Sequence, residues 1–195
     1  AHGQSPPDRT NQVALGHLLT TRALLTYRLG QHEQAQAMLE RSLVILRPLN
    51  DPRVIVEPIA FLGTVMTLTG DYAGAAELFG EGREKAAAVG DRWFVAMCLS
   101  MQGSVAMHFG EYEVAHEQLE FAVAEWRVIG DPRFTAFGLN FLGQSASTLG
   151  RYDAARAALE ESVTLNKSVG ARWNLGHAYE RLGAVARAPG VASTR

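Results

Sequence analysis

Apolar and small residues recur at helical spacing along most of the chain. Positions 139, 142, 143 and 146 carry them in the i, i+3, i+4, i+7 order that marks one face of a helix. The same stripe stands forty residues earlier, and after a turn each stripe is followed by a second one. Each forty-residue unit therefore predicts two antiparallel helices, which we call helix A and helix B.

Glycine and asparagine separate the predicted helices at regular intervals. One series ends the A helices and another, half a period later, ends the B helices: Gly30, Gly70, Gly110 and Gly150, then Asn50, Gly90, Gly130 and Gly170. These residue types adopt the left-handed conformation that terminates a helix. Asp51-Pro52 and Asp131-Pro132 place an acceptor at the N-cap and a proline at the first helical position, which predicts where two A helices begin.

The pattern predicts an all-α fold of about nine helices. The A helices are expected at 11–29, 52–69, 92–109, 132–149 and 172–187, and the B helices at 32–47, 72–88, 112–128 and 152–168. They form one predicted domain over 11–188, divided into units 11–50, 51–90, 91–130 and 131–170 and a half unit, 171–188. Flexible segments are expected at 1–10 and 189–195. Pro58 falls inside a predicted A helix and is expected to bend or shorten it.

The repeats resemble the tetratricopeptide repeat. A large apolar residue, Leu and Gly occur in the family's order at 59, 62 and 63, at 139, 142 and 143, and at 179, 182 and 183. The family's turn appears as Gly70-Asp71-Tyr72. The resemblance implies a right-handed superhelical solenoid that binds other proteins. The forty-residue period is similar to that of large bacterial transcriptional regulators of the maltose-regulator type, related ATPase-coupled signalling proteins, polarity adaptors and kinesin light chains.

Composition and charge exclude several other functions. With 47% hydrophobic and 19% charged residues the chain can bury a continuous core, and a net charge of −2 lacks the basic excess that nucleic-acid binding needs. The apolar stretch 54–68 is interrupted by Glu57 and Pro58, and the first ten residues have no apolar leader, so we expect a cytoplasmic protein without membrane attachment. A single cysteine, Cys98, excludes an internal disulfide and is expected to be a buried small hydrophobe.

No motif for catalysis, phosphate binding or metal binding occurs in the sequence. We therefore predict a protein that is not an enzyme and needs no cofactor or metal. His108 and His116 flank one turn, but no third metal ligand can be named for them. Trp93 and Trp173 stand in one position of the repeat and have two interpretations: contact residues for a partner, or covers for the junction between units.

The resemblance implies a partner-binding groove on the concave face, lined by helix A side chains turned away from helix B. This mixed surface of rings, methionines and uncharged polar groups suits a protein or peptide segment. The predicted groove residues are His17, Tyr27, Arg28, Glu57, Thr64, Met97, Ser104, Met107, His108, Phe137, Asn140, Gln144, His177 and Glu180.

The last predicted A helix is not followed by a B helix, so its apolar stripe has no partner within the repeat pattern. The stripe consists of Tyr179, Leu182, Gly183 and Ala186. We expect a second copy to cover it in a homodimer, unless the helix caps the stack by itself or the chain is a fragment. The leading functional prediction is a non-enzymatic sensor or docking fragment of a larger bacterial signalling or transcriptional regulator. The alternative is a free-standing peptide adaptor or a homo-oligomerisation scaffold.

Overall fold

Every predicted helix is present in the computed structural model, which describes residues 8–188. The described residues contain nine α-helices, a 3-10 turn at Arg47–Leu49 and no strand. The helices are α1 (Arg9–Arg28), α2 (His32–Leu46), α3 (Pro52–Thr69), α4 (Tyr72–Ala88), α5 (Arg92–His108), α6 (Tyr112–Ile129), α7 (Pro132–Thr148), α8 (Tyr152–Ser168) and α9 (Arg172–Ala186). Helix α1 begins before the predicted start at residue 11. The predictions for residues 1–7 and 189–195 lie outside the described range.

The helix ends follow the predicted punctuation. All seven glycines of the two series have positive φ angles between 67° and 90°, and Asn50 takes the same left-handed conformation with φ 50°. The Asp51 carboxylate accepts a hydrogen bond from the backbone N–H of Arg53, and the Asp131 carboxylate accepts from Arg133 and Phe134, each at 3.1 Å. Short-range sequence signals therefore place the helix termini.

The shortening expected at Pro58 does not occur. Helix α3 runs through the proline for 18 residues. Proline removes one backbone hydrogen bond, and the ring of Pro58 is buried in the core of its unit. Tertiary packing on both sides of the proline keeps the helix continuous.

The chain divides into two compact units, with the division between Cys98 and Leu99 inside α5. In the first unit α1 pairs with α2 and α3 with α4, and α3 also packs on α2. Its core includes the fully buried side chains of Leu39, Leu46 and Ile59. Cys98 is buried as well, as expected, and burial raises the pKa of its thiol to about 12.

In the second unit α7 packs between α6 and α8, and α9 packs on α8 and α7. Trp126 of α6 is its largest fully buried side chain. Helices α7 and α8 approach each other closely at Gly143. A Cβ atom placed on Gly143 would lie 2.5 Å from Leu159 Cγ and 3.2 Å from the Ala155 carbonyl oxygen on α8. Glycine at this position therefore allows the close approach of the two helices.

Each unit contains one ion pair built in the same way. In the first, Arg47 donates to both carboxylate oxygens of Glu81 at 2.7 Å, and in the second Arg127 donates to Glu161 at 2.7 Å. Each pair links the end of one B helix to the next B helix. The two pairs stand eighty residues apart in sequence.

Helix α3 is the one helix in the described range that is long and apolar enough to span a membrane by length and composition. Its mean hydropathy of 1.2 reflects its position in the first unit, where it packs against α2 and α4.

Candidate functional site: a groove between α7 and α9

Two neighbouring cavities lie between α7 and α9 in the second unit, with volumes of about 340 and 180 Å³. They share His177 and Arg181, and we call them together the α7–α9 groove. The larger cavity is lined by Gly143, Gln144, Ser147, Thr148, Leu159, His177, Glu180, Arg181, Ala184 and Val185. The smaller one is lined by Phe137, Asn140, Phe141, Trp173, Asn174, His177 and Arg181.

Asn140 fixes the two walls of the smaller cavity. Its side-chain amide nitrogen donates to the backbone carbonyl of Asn174 at 3.2 Å, which ties α7 to α9. The residue is only 3% exposed, and its Oδ1 atom has no hydrogen-bond partner among the described residues. A buried amide oxygen without a partner is costly, so this atom is a ready acceptor for a ligand N–H group.

Aromatic rings form most of the remaining wall. Phe137 and Phe141 meet edge to face with centroids 5.0 Å apart, and Trp173 meets His177 in the same way at 4.4 Å. Trp173 is 74% exposed, which is exceptional for so large an apolar side chain in this protein. Rings held in place but open to solvent provide contact area at a low cost in conformational entropy.

Arg181 stands where the two cavities meet. Its guanidinium lies 5.1 Å from the centre of the Phe141 ring, a cation–π contact. Burial lowers the pKa of Arg181, and the neighbouring Glu180 opposes that shift. No carboxylate lies within ion-pairing distance of Arg181 in the described part of the chain. A partly desolvated cation of this kind favours an anionic ligand group.

The structure brings together five of the predicted groove residues: Phe137, Asn140, Gln144, His177 and Glu180 all line the α7–α9 groove. Of the other predicted residues in this unit, Ser104 and Met107 are half-buried on α5, and His108 at its end is exposed. Their role as partner-binding residues stays a prediction.

The predicted residues of the first unit have contacts of their own. His17 Nδ1 lies 3.9 Å from a Glu57 carboxylate oxygen, and Thr64 donates to the Ala60 carbonyl at 2.9 Å. The Tyr27 ring packs at a tilt against His32, and burial raises the pKa of Tyr27. Arg28 is exposed, whereas Met97 is buried and offers little contact area.

Phe141 and Arg181 are among the groove residues that lie outside the predicted set. Phe141 flanks the predicted helix face, and Arg181 lies four residues after His177. That spacing puts Arg181 one turn further along the same face of α9 and could have indicated it. Trp173 has two interpretations from the sequence, and the structure places its exposed ring on the smaller cavity.

The C-terminal stripe on α9 is partly open. Tyr179 is 49% exposed with the Lys167 ammonium 5.7 Å from its ring centre, and Ala186 is exposed. Leu182 is half-buried and packs on the cluster around Leu159 and Val185. The role of this stripe in an interface between copies of the chain stays a prediction.

One Glu–His–Ser set has the residue types of a catalytic triad. His116 Nδ1 lies 2.8 Å from Ser145 Oγ, and His116 Nε2 lies 3.5 Å from Glu120. Ser145 is completely buried, and its hydroxyl donates to the Leu142 carbonyl. A substrate cannot reach this buried hydroxyl, so Ser145 cannot act as a nucleophile. The three side chains instead connect α6 to α7. Residues 8–188 also contain no group of three or more potential metal ligands.

Comparisons with known proteins agree with the helical architecture. Tetratricopeptide-repeat models match residues 16–41 and 142–193, so the chain carries repeats of this type. A comparison with curated protein sequences found no match.

Several solved structures share the fold. BtubC from P. vanneervenii matches with a TM-score of 0.76 and 18% identity, over 92% of this chain and 74% of that one. A Rap protein complexed with competence and sporulation factor matches with a TM-score of 0.78 and 14% identity, over 89% and 52%. A signal transduction ATPase with a tetratricopeptide repeat sensor from Pyrococcus horikoshii matches with a TM-score of 0.72 and 16% identity, over 89% and 27%. The chain thus spans about half of the Rap protein and a quarter of the ATPase. The predicted fold class, an all-α solenoid of helical hairpins, is confirmed.

Proposed function

We propose that this protein is a non-enzymatic interaction module that binds a protein or peptide segment in the α7–α9 groove. The observation that carries the proposal is Arg181, a partly buried cation without a carboxylate partner in the described chain, set between two cavities. A carboxylate on the bound segment would form the ion pair that the protein leaves unmade.

The other walls of the groove define the rest of the ligand. Phe137, Phe141 and Trp173 suit an apolar or aromatic side chain, and the unpaired Oδ1 of Asn140 suits a backbone N–H. An extended peptide presents all three groups, a carboxylate, an apolar side chain and a backbone amide, within a few residues. A phosphate-rich ligand would find only one cation here, so we favour the peptide.

The biological setting that we propose is a cytoplasmic sensor or docking part of a larger bacterial signalling or transcriptional regulator. A Rap protein solved with competence and sporulation factor and an ATPase with a repeat sensor share the fold, which supports this setting by analogy. A free-standing adaptor would use the same groove. Sequencing the parent gene beyond this chain separates the two: a nucleotide-binding or helix-turn-helix domain on the same polypeptide supports the regulator.

The groove is tested with a library of short peptides carrying free or amidated C-termini, from which the tightest binder to the wild-type chain is measured by calorimetry. Trp173→Ala is expected to weaken that binder at least about tenfold, because exposed anchoring tryptophans dominate binding energy. Arg181→Gln is expected to remove the preference for peptides with a carboxylate, and Arg181→Lys to retain part of it. Asn140 is left unchanged, since its loss would also release α9 from α7.

The matched controls are Glu117→Ala and Arg156→Ala, on B helices and outside the groove. They are expected to leave the affinity unchanged. If these two substitutions lower the affinity for the peptide and the groove variants do not, the binding site lies on another face. If no peptide in the library binds, the proposed function is wrong for this groove.

A second candidate function is assembly of copies through α9. A Cβ atom on Gly63, Gly103 or Gly143 would lie within 3 Å of a helix B side chain. Among residues 8–188, one on Gly183 would meet only the Arg187 side chain, at 3.3 Å. Within the described part of the chain, this face of α9 is therefore not covered by a helix, whereas the same face of its counterparts is.

Light scattering on the purified chain tests this assembly. We expect a dimer that Ala186→Glu converts to a monomer, since a carboxylate in the stripe would lose hydration on burial. Ala186 is chosen because it is exposed, so the change does not disturb the core as Leu182→Glu would. A wild-type chain that is monomeric at all concentrations shows that α9 caps the stack by itself.

A further inference from the structure

A cavity of about 490 Å³ lies in the first unit, where α3 begins and where α4 connects to α5. We call it the α3–α5 cavity, and its volume is in the range of cavities that hold small molecules. It is separate from the α7–α9 groove, and a ligand here does not depend on peptide binding there. Its walls combine apolar and charged residues: Arg53, Val56, Val89, Gly90, Asp91, Arg92 and Phe94.

The Phe94 ring forms the aromatic wall of this cavity. Forty residues on, the counterpart of Phe94 is Phe134, and the Trp126 ring stacks on it with centroids 5.0 Å apart. The counterpart of Trp126 is Ala86, which has no ring to place beside Phe94. Phe94 therefore lines an open cavity, whereas its counterpart is covered by an aromatic side chain of the chain itself. A planar aromatic ring on a ligand would supply the stacking partner that Phe94 lacks.

Two contacts hold Phe94 in place before any ligand binds. Its backbone N–H donates to Asp91 Oδ1 at 3.1 Å, which fixes the start of α5. Its ring meets the Trp93 ring nearly at right angles, with centroids 4.9 Å apart. The aromatic wall is thus already ordered, which lowers the entropic cost of binding a ring against it.

Two opposite charges face the cavity without pairing with each other. Arg53 is exposed, and its guanidinium has no ion pair within residues 8–188. The nearby Asp51 carboxylate is already engaged by Arg9, at 2.8 Å. Asp91 uses one carboxylate oxygen to cap α5, which leaves the other oxygen as an acceptor. The cavity therefore offers a cation to a ligand carboxylate and an anion to a ligand ammonium group.

Aromatic α-amino acids carry the three groups that these walls select. The ring would stack on Phe94, the carboxylate would take the guanidinium of Arg53, and the ammonium group would take the carboxylate of Asp91. A phosphate ester matches less well, because its second negative charge would be repelled by Asp91. A simple aromatic amine or acid satisfies only one of the two charges.

We propose that the α3–α5 cavity binds a free aromatic amino acid, with its ring on Phe94, its carboxylate on Arg53 and its ammonium group on Asp91. Indole is the ring that we expect to bind best, since an indole occupies the equivalent position on Phe134. The protein would then bind a small molecule in its first unit, independently of the protein segment in its second.

Calorimetric titration of the full chain with L-tryptophan tests this site, and we expect saturable binding. Two analogues separate the charges: indole-3-propionate lacks the ammonium group, and tryptamine lacks the carboxylate. Each is expected to bind at least about tenfold more weakly than tryptophan, because each leaves one charged wall without its ligand partner.

Variants assign the two charges to residues. Arg53→Gln is expected to weaken tryptophan at least about tenfold without weakening tryptamine, which has no carboxylate to lose. Asp91→Asn is expected to weaken tryptophan by a similar factor without weakening indole-3-propionate. Asparagine caps a helix as well as aspartate does, so the start of α5 is kept. Phe94→Leu is expected to weaken all three compounds, and circular dichroism checks that each variant keeps its helices.

Arg133→Gln is the matched control. Arg133 follows the same Asp-Pro pair eighty residues after Arg53 and is exposed as well. The adjacent Phe134 is already covered by Trp126. This substitution is therefore expected to leave the affinity for all three compounds unchanged.

The proposal fails on any of three results. One is the absence of tryptophan binding to the wild-type chain. Another is an analogue that binds as tightly as tryptophan, because one charged wall would then take no part. The last is tryptophan binding that Arg53→Gln and Asp91→Asn leave unchanged, or that Arg133→Gln weakens equally, since the ligand would then lie elsewhere. None of these results bears on the α7–α9 groove, which is tested with peptides.

Discussion

Replacing Trp126 with alanine is expected to lower the free energy of unfolding by about 3–5 kcal/mol, as for other large aromatic residues removed from a core. The Trp126 side chain is fully buried in the second unit. Its indole N–H donates to Ser100 Oγ at 3.2 Å, and its ring stacks on Phe134 with centroids 5.0 Å apart. Chemical denaturation followed by circular dichroism measures the loss.

Trp126→Phe is the control for this experiment. It keeps a ring against Phe134 and removes the indole N–H, so a smaller loss is expected. If alanine costs less than about 1 kcal/mol, a value typical of an average substitution, then Trp126 does not organise this core.

Gly143→Ala is expected to destabilise the protein by about 1–3 kcal/mol, although alanine is the better helix former, because the added methyl overpacks the contact with α8. The nearest atom, Leu159 Cγ at 2.5 Å, is not the flexible end of its side chain, and the Ala155 backbone lies just behind it. The α7–α8 contact can therefore relieve the overlap only by moving a helix.

Gly176→Ala on α9 provides the matched comparison. A Cβ at that position would meet no atom within 4 Å. The substitution is therefore expected to stabilise the protein by up to about 1 kcal/mol through helix propensity alone. Thermal melts of the two variants, recorded together, decide the matter: two shifts of the same sign would contradict the assignment of Gly143 to a close helix contact.

The sequence was sufficient to predict the helices because their boundaries depend on local chemistry. A glycine that needs a positive φ and an aspartate that caps the next N–H groups act within a few residues, as at Gly130 and Asp131. The shortening of α3 at Pro58 was predicted wrongly for a related reason. The cost of proline is local, but the packing that keeps α3 continuous comes from other helices.

The candidate site could be predicted only in part. Positions on the predicted face of α7 and α9, such as Phe137 and His177, follow from the forty-residue register. The importance of Arg181 depends on its distance to Phe141 and on the lack of a nearby carboxylate, which are properties of the folded chain.

The two equivalent ion pairs indicate how proteins built from these repeats gain or lose repeats during evolution. Forty residues after Arg47 the sequence has Ala87, and forty after Glu81 it has Phe121, so the pair returns only after eighty residues, as Arg127 and Glu161. A gene duplication or deletion of eighty residues therefore restores an arginine opposite a glutamate, whereas one of forty places Arg47 opposite a phenylalanine. The energy of an exposed pair is small, so its recurrence records ancestry more than stability. We expect relatives of this protein to differ in length by even numbers of repeats, with the pair of hairpins as the unit that is gained or lost.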